Sequence, residues 1–190
     1  MRIDKRLNLV IPIERETGTV YVHSMPISAE VFDRYYLPIA RTYADISRSG
    51  IGVISAPRVA AKMLKKTAIE LGVWEGPEGV EAGLVGEMRR LSSVITLGDN
   101  GWQQTMLDIA LKREALTAEE YSDVENMLTF FMVSCSLERG MELQAVLAFV
   151  CRAWRVQTTL SNATEFRASL TISKEDENFG VKATPLSIAS

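Results

Sequence analysis

The chain has one histidine and two cysteines among its 190 residues, and no long apolar run. Each shortage excludes something. A Ser–His–Asp or Cys–His device would have to use His23, the lone imidazole. His23 sits on the strand face opposite Val20 and Val22, where a polar residue is ordinarily solvated, so it reads as a non-catalytic side chain. Cys135 and Cys151 lie 16 residues apart in a helical region, which suits reduced, buried thiols better than a disulfide framework. No set of His, Cys, Asp and Glu shows metal-ligand spacing. No stretch of ~18 apolar residues exists, so no membrane span is expected. The start, "MRIDKRLNLVIPIERE", is broken by Pro12 and Glu14 and does not read as a secretory leader. Basic residues are not in excess either. The net charge is −3 and the sequence pI about 5.4, against a general nucleic-acid partner.

What is present is enough apolar content for a core, 47%, in a length that fits one compact domain. Leu7, Leu9, Ile11 and Ile13 alternate, then Val20 and Val22, with Gly18 between them, which predicts a β-hairpin over about 6–25. Pro12 points to an edge or a bulge. Ser28 is a good N-cap for a helix carrying Val31, Tyr35, Ile39 and Tyr43, which Pro38 should kink. A second helix runs from about Pro57 to Leu71, with Gly72 at its C′ position. Periodicity predicts a third helix over about 81–97 and a fourth from Trp102 to about Glu114. "TAEE" is a capping box, Thr117 with Glu120, opening a fifth. Gly140 should break that helix before an almost wholly apolar sixth, 141–154, expected to be central. Ser161 or Thr164 caps a short last helix. The expectation is a mainly α protein: a helical body of five to six helices with an N-terminal hairpin, one domain over 1–169. Residues 170–190 read as a flexible tail.

Other candidate chemistry has ordinary explanations. "GPEGVEAGLVG" lacks a P-loop ending and reads as a flexible connection, then a helix whose Gly83 and Gly86 allow close packing. Glu119/Glu120, Asp123/Glu125 and Glu175/Asp176/Glu177 are explained by capping, a solvated helix face and the tail. Arg58, Lys62, Lys65 and Lys66 share one helix face, either solvated or suited to an acidic partner helix. Trp74, in a Gly/Pro loop, is either an exposed interaction element or a packed side chain. No catalytic residue, metal or cofactor is expected.

The hairpin, then "VHSMPISAEVFDRYYLPIARTYADI", then "TTLSNATEFRASL" and a loose tail, resemble tail assembly chaperones of long-tailed bacteriophages. The likeness covers the N-terminal third and about residues 140–170. It implies a mostly helical, non-enzymatic protein of the host cytoplasm that coats the tape measure protein and recruits tail tube subunits. Such a protein is absent from the mature virion. A flexible tail fits the shorter of the two frameshift products many such proteins have; the tail lacks the Gly-Lys pair a common slippery run would encode. Under this reading Tyr35, Tyr36 and Trp74 contact the client. Val20, Tyr21, Val22 and His23 serve self-association in a homo-oligomer. The rival reading is a structural virion component, such as a tail completion or head–tail connector subunit.

Overall fold

The computed structural model describes residues 7–50, 55–137 and 141–170. The expected hairpin forms. Strand β1 (Asn8–Arg15) pairs antiparallel with β2 (Gly18–Ser24) through a two-residue turn, with Gly18 at a φ of 120°. It is not isolated. β3 (Ser92–Gly98), β4 (Gly101–Met106) and β5 (Gln157–Thr159) complete an antiparallel sheet in the order β4-β3-β2-β1-β5. This sheet overturns the expectation of a mainly α protein with a lone hairpin. Two of its strands fall where helices were expected. Val94 and Ile95 are β-branched and find β2 as a partner. "GWQQTM" follows an Asp99–Asn100 turn and returns along β3. Helical spacing of apolar residues over 81–97 was real but misread, because a short strand next to a helix shares its apolar content. β5 covers only Asn8–Val10, so β1 is an edge from Ile11 onward, where Pro12 sits.

The helices follow their local signals more closely. Ser28 caps α1 (Ala29–Arg34), accepting from the Val31 amide. The break falls at Tyr35, three residues ahead of Pro38, and α2 (Tyr36–Arg48) carries Pro38 in its first turn. The carbonyl that Pro38 would crowd belongs to Arg34, which ends α1. A 3₁₀ turn (Ala56–Arg58) precedes α3 (Ala60–Glu70). Gly72, at φ 69°, closes α3: its amide and that of Val73 bond back to Ile69 and Ala68. A π turn (Val80–Val85) runs into α4 (Gly86–Arg90), and α5 (Leu107–Lys112) follows β4. Thr117 and Glu120 form the expected capping box of α6 (Ala118–Leu137). α7 (Met141–Trp154) and α8 (Ala163–Ser169) complete the order. Asn162, rather than Ser161 or Thr164, caps α8, in a box with Glu165. Gly140 and residues 171–190 lie outside the described residues.

α6 is the central helix, packing on α2, α3 and β1. Val124, Leu128, Phe131 and Met132 form its buried side. α7 was expected to be central, yet its Phe149 is 54% exposed while Val150 is buried near Phe130. The helical body covers one sheet face through Leu9, Ile11, Val20, Val22 and Val94. α8 covers the other, where Phe166 and Leu170 meet Val10, Tyr21 and Ile95. Phe166 stands edge-on to Tyr21 at 5.5 Å between centroids, and Trp102 flanks Tyr21 at 5.7 Å. Arg15, at the hairpin end, grips Glu120 with two hydrogen bonds of 2.7 and 2.6 Å and donates to the Ala115 carbonyl at 2.8 Å. One fork thereby ties the sheet to the start of α6.

Removing Phe166 should uncover the sheet. Phe166→Ala is expected to cost about 3 kcal/mol in urea unfolding, with faster amide exchange in β2 and 157–170. Unchanged stability would mean that α8 does not seal this face. Arg15 and the Thr117 amide hold the Glu120 carboxyl below its ordinary value of 4.5, the Arg15 hydrogen bond acting most. A depressed folded value adds stability above pH 4.5 that is lost as pH falls through the folded value. Glu120→Gln should therefore cost about 1–2 kcal/mol at neutral pH, with the gap to the native chain closing in acid. An equal gap at pH 3 and pH 7, or none, would refute the assignment.

Candidate functional site

α3 and α6 lie side by side, and the α6 face toward α3 is polar at helical spacing: Ser122, Glu125, Asn126 and Thr129. Asn126 is buried, and its side-chain oxygen accepts from the Ala61 amide at 3.0 Å. That amide is one of the unpaired donors of the first turn of α3, so one helix caps the other. Asn126 also donates to the Ser122 carbonyl at 2.8 Å. Above this seam the two helices and the π turn enclose a cleft of about 300 Å³. Leu64 and Val85 are its buried apolar residues, Trp74 lines it half-buried, and Lys62, Lys65 and Glu81 are exposed around it.

Arg89, Tyr121 and Glu125 close part of the cleft as one network. Arg89 donates to the Tyr121 hydroxyl at 2.7 Å and to Glu125 at 3.1 Å, and Tyr121 donates to Glu125 at 2.9 Å. The Arg89 guanidinium also lies 5.7 Å from the Tyr121 ring centroid. Burial pushes the Tyr121 hydroxyl up to about 12, with Glu125 adding to the effect. At neutral pH the phenol keeps its proton, and Arg89 and Glu125 compensate each other's charge. The network is a strut between α4 and α6, unsuited to moving protons near pH 7.

Trp74 is carried by a loop that is more tightly tied than its composition predicts. The Val80 and Glu81 amides bond back to the Val73 and Trp74 carbonyls at 2.9 and 3.1 Å. The Tyr35 hydroxyl donates to the Glu78 carbonyl at 3.1 Å. The Tyr35 ring end lies against the bare backbone of Gly83, where any Cβ would collide with it. A Cβ on Gly79 would meet the Trp74 carbonyl oxygen at 2.5 Å. Gly83 serves the close packing expected of it, Gly86 has no such close neighbour, and the part before the π turn is a strapped turn rather than the flexible connection expected. The Lys65 ammonium lies 5.3 Å from the Trp74 ring centroid, within cation–π range.

The residues expected to bind a client are therefore dispersed. Tyr35 is only 6% exposed and acts as the strap of the Trp74 loop, which removes it from client contact. Tyr36 is 55% exposed on α2, beside exposed Leu37 and edge-on to Phe32 at 5.7 Å. Trp74 alone of the three lines the cleft. Val20, Tyr21, Val22 and His23, expected to pair with another copy, are buried in β2, whose two edges are taken by β1 and β3. The sheet's outer strands are β4 and β5. His23 is not solvated: it is 1% exposed under Phe166, and its Nε2 donates to the Ser161 carbonyl at 2.9 Å. Burial lowers its pKa, which keeps the ring neutral. Asn8 donates to the same carbonyl at 2.9 Å, so the pair anchors the turn before α8.

Sequence reasoning singled out Lys62, Lys65 and Trp74 but passed over Arg89, Tyr121 and Asn126. The available signal was the set of polar residues at 122, 125, 126 and 129, which share one face of α6. Cys135 and Cys151 are free, and burial pushes the Cys135 thiol up to about 12. Among the described residues no three His, Cys, Asp or Glu are grouped to hold a metal ion, and no described helix is long and apolar enough to cross a membrane. The chain matches no protein-family model, no curated protein and no solved structure.

The strap gives a direct test. Gly83→Ala should destabilise the chain by about 1–3 kcal/mol through overpacking, and more than Tyr35→Phe, which loses one hydrogen bond worth about 1 kcal/mol. Thermal unfolding measures both. The reverse order would show that Tyr35 is held by its hydroxyl and not by the fit to Gly83.

Proposed function

We propose that this protein is a non-enzymatic tail assembly chaperone of a long-tailed bacteriophage. It would bind the tape measure protein in the host cytoplasm and help tail tube subunits assemble around it. The observation that carries the reading is the cleft between α3 and α6. It combines an apolar lining, a half-buried tryptophan on a strapped loop and exposed charges of both signs. An amphipathic client helix would set apolar side chains on Trp74 and Ala61, the part-exposed apolar residues of the lining, and keep its polar flanks beside Lys62, Lys65 and Glu81. Tyr36 and Leu37 offer a second exposed apolar contact. The fold itself lends no support, since the resemblance implied a mostly helical protein and the chain has a five-stranded sheet. What supports the reading is the run of quoted residues and the character of the cleft.

Co-expression with the tape measure protein of the same genome tests it. A soluble complex is expected, weakened at least about tenfold by Trp74→Ala, the effect of a central aromatic anchor. Circular dichroism of the variant checks that its fold is kept, and Tyr36→Ser provides a second variant at an exposed position. An insoluble, unaltered tape measure overturns the reading. Mass spectrometry of purified particles separates the rival: presence in virions at structural copy number would make the protein a virion component.

A further inference from the structure

The exposed cations along α3 are largely free of carboxylate partners. Lys62 and Lys65 line the cleft, and among the described residues neither pairs with an acidic side chain. Arg58, one turn before Lys62, meets the Trp154 ring at 5.0 Å and likewise has no carboxylate partner among the described residues. Lys66 differs, being paired with Glu70 at 3.8 Å. On the other side of the cleft Glu125 is taken by Arg89, which leaves Glu81 as its one uncompensated acid. The chain as a whole carries −3, so an unneutralised basic row runs against its overall charge. The row is also placed beside apolar surface. Lys65 stacks on the half-buried Trp74, and the part-exposed Ala61 lines the cleft beside Lys62.

From this juxtaposition we infer that the cleft takes an acidic amphipathic helix: apolar residues on Trp74 and Ala61, carboxylates facing Lys62 and Lys65. The two lysines stand three residues apart on one helix, so their side chains project from one face about 5–6 Å apart at Cβ. A partner helix matches that spacing with Glu or Asp at i and i+3 or i+4, alongside its apolar stripe. Lysines at those positions would face like charge and be rejected. Electrostatic pairing at an exposed rim acts mainly on partner choice and on-rate, while the apolar contact supplies the bulk of the affinity. The inference names the client chemistry for the cleft and rests on the client-binding role proposed above. A salt-sensitive preference for acidic segments is its signature.

Fluorescence anisotropy with labelled synthetic helices measures it on the full chain. One peptide carries an apolar stripe flanked by Glu at i and i+4; its companion has Lys at those positions. The acidic peptide should bind about tenfold tighter, as expected for two exposed pairs exchanged for two repulsions. That preference should shrink between about 50 and about 500 mM salt, and should reverse in the Lys62→Glu/Lys65→Glu variant. Lys62→Gln/Lys65→Gln, which only removes charge, should equalise the two peptides. Equal binding of both peptides by the native chain, or a preference that survives both variants, overturns the inference. Failure here is distinct from failure of the chaperone reading. A tape measure kept soluble equally well by native chain and Lys62→Glu/Lys65→Glu refutes the acidic-helix assignment alone. An acid preference that depends on the two lysines, without any effect on the tape measure, upholds the assignment and removes the chaperone.

Discussion

Burial of β2 on both faces and both edges is the constraint on which the rest depends. Val20 and Val22 point into the helical body, Tyr21 and His23 under α8, and β1 and β3 hold the two edges. A two-stranded hairpin has too little apolar contact to stand alone. Three additional strands and a helix on each face supply that contact. The α8 side is sealed by a short element of seven residues, and the sealing works because Phe166 reaches Tyr21 and His23 together. The imidazole loses solvent there and keeps one hydrogen bond, to Ser161. Its role is to hold the turn that delivers α8 to the sheet.

The helical body turns this sheet into a platform for the cleft. α6 lies on β1 and is tied to the hairpin by Arg15 and Glu120. α3 lies on α6 and has its first turn capped by Asn126. The π turn and the Trp74 loop close over both, strapped by Tyr35. The walls of the cleft are thus fixed by polar contacts to neighbouring elements, and Lys62 and Glu81 lie at its exposed margin. A surface of this kind holds its shape before a partner arrives, which lowers the ordering cost of binding.

Legibility in the sequence tracked the range of the interaction. Ser28, Thr117 with Glu120, and Gly72 mark helix ends by bonds within a few residues, and each is found in that role. The first hairpin is equally local, set by alternation and one glycine. β3 and β5 were missed because their partners β2 and β1 lie far along the chain, and β4, which pairs locally with β3 across Asp99–Asn100, was missed along with β3. Ile95 is in a strand because Tyr21 lies beside it, and Thr158 because Leu9 does. Tyr35 was assigned to client contact since nothing near it in sequence announces that it is the residue Gly83 packs against. Arg89 and Tyr121 were passed over for the same reason, their partnership being purely tertiary.

By itself, then, the sequence determined three helix ends, at Ser28, Gly72 and Thr117, that the N-terminus forms a hairpin, and that α3 carries a basic face with a tryptophan shortly after it. Only the tertiary structure decided that the hairpin is the middle of a sheet, that His23 is buried, and that Trp74, Lys62 and Lys65 border one cleft. The physical reason is that capping bonds and turn dihedrals act within one or two turns of chain, whereas strand pairing and apolar burial select partners by position in space.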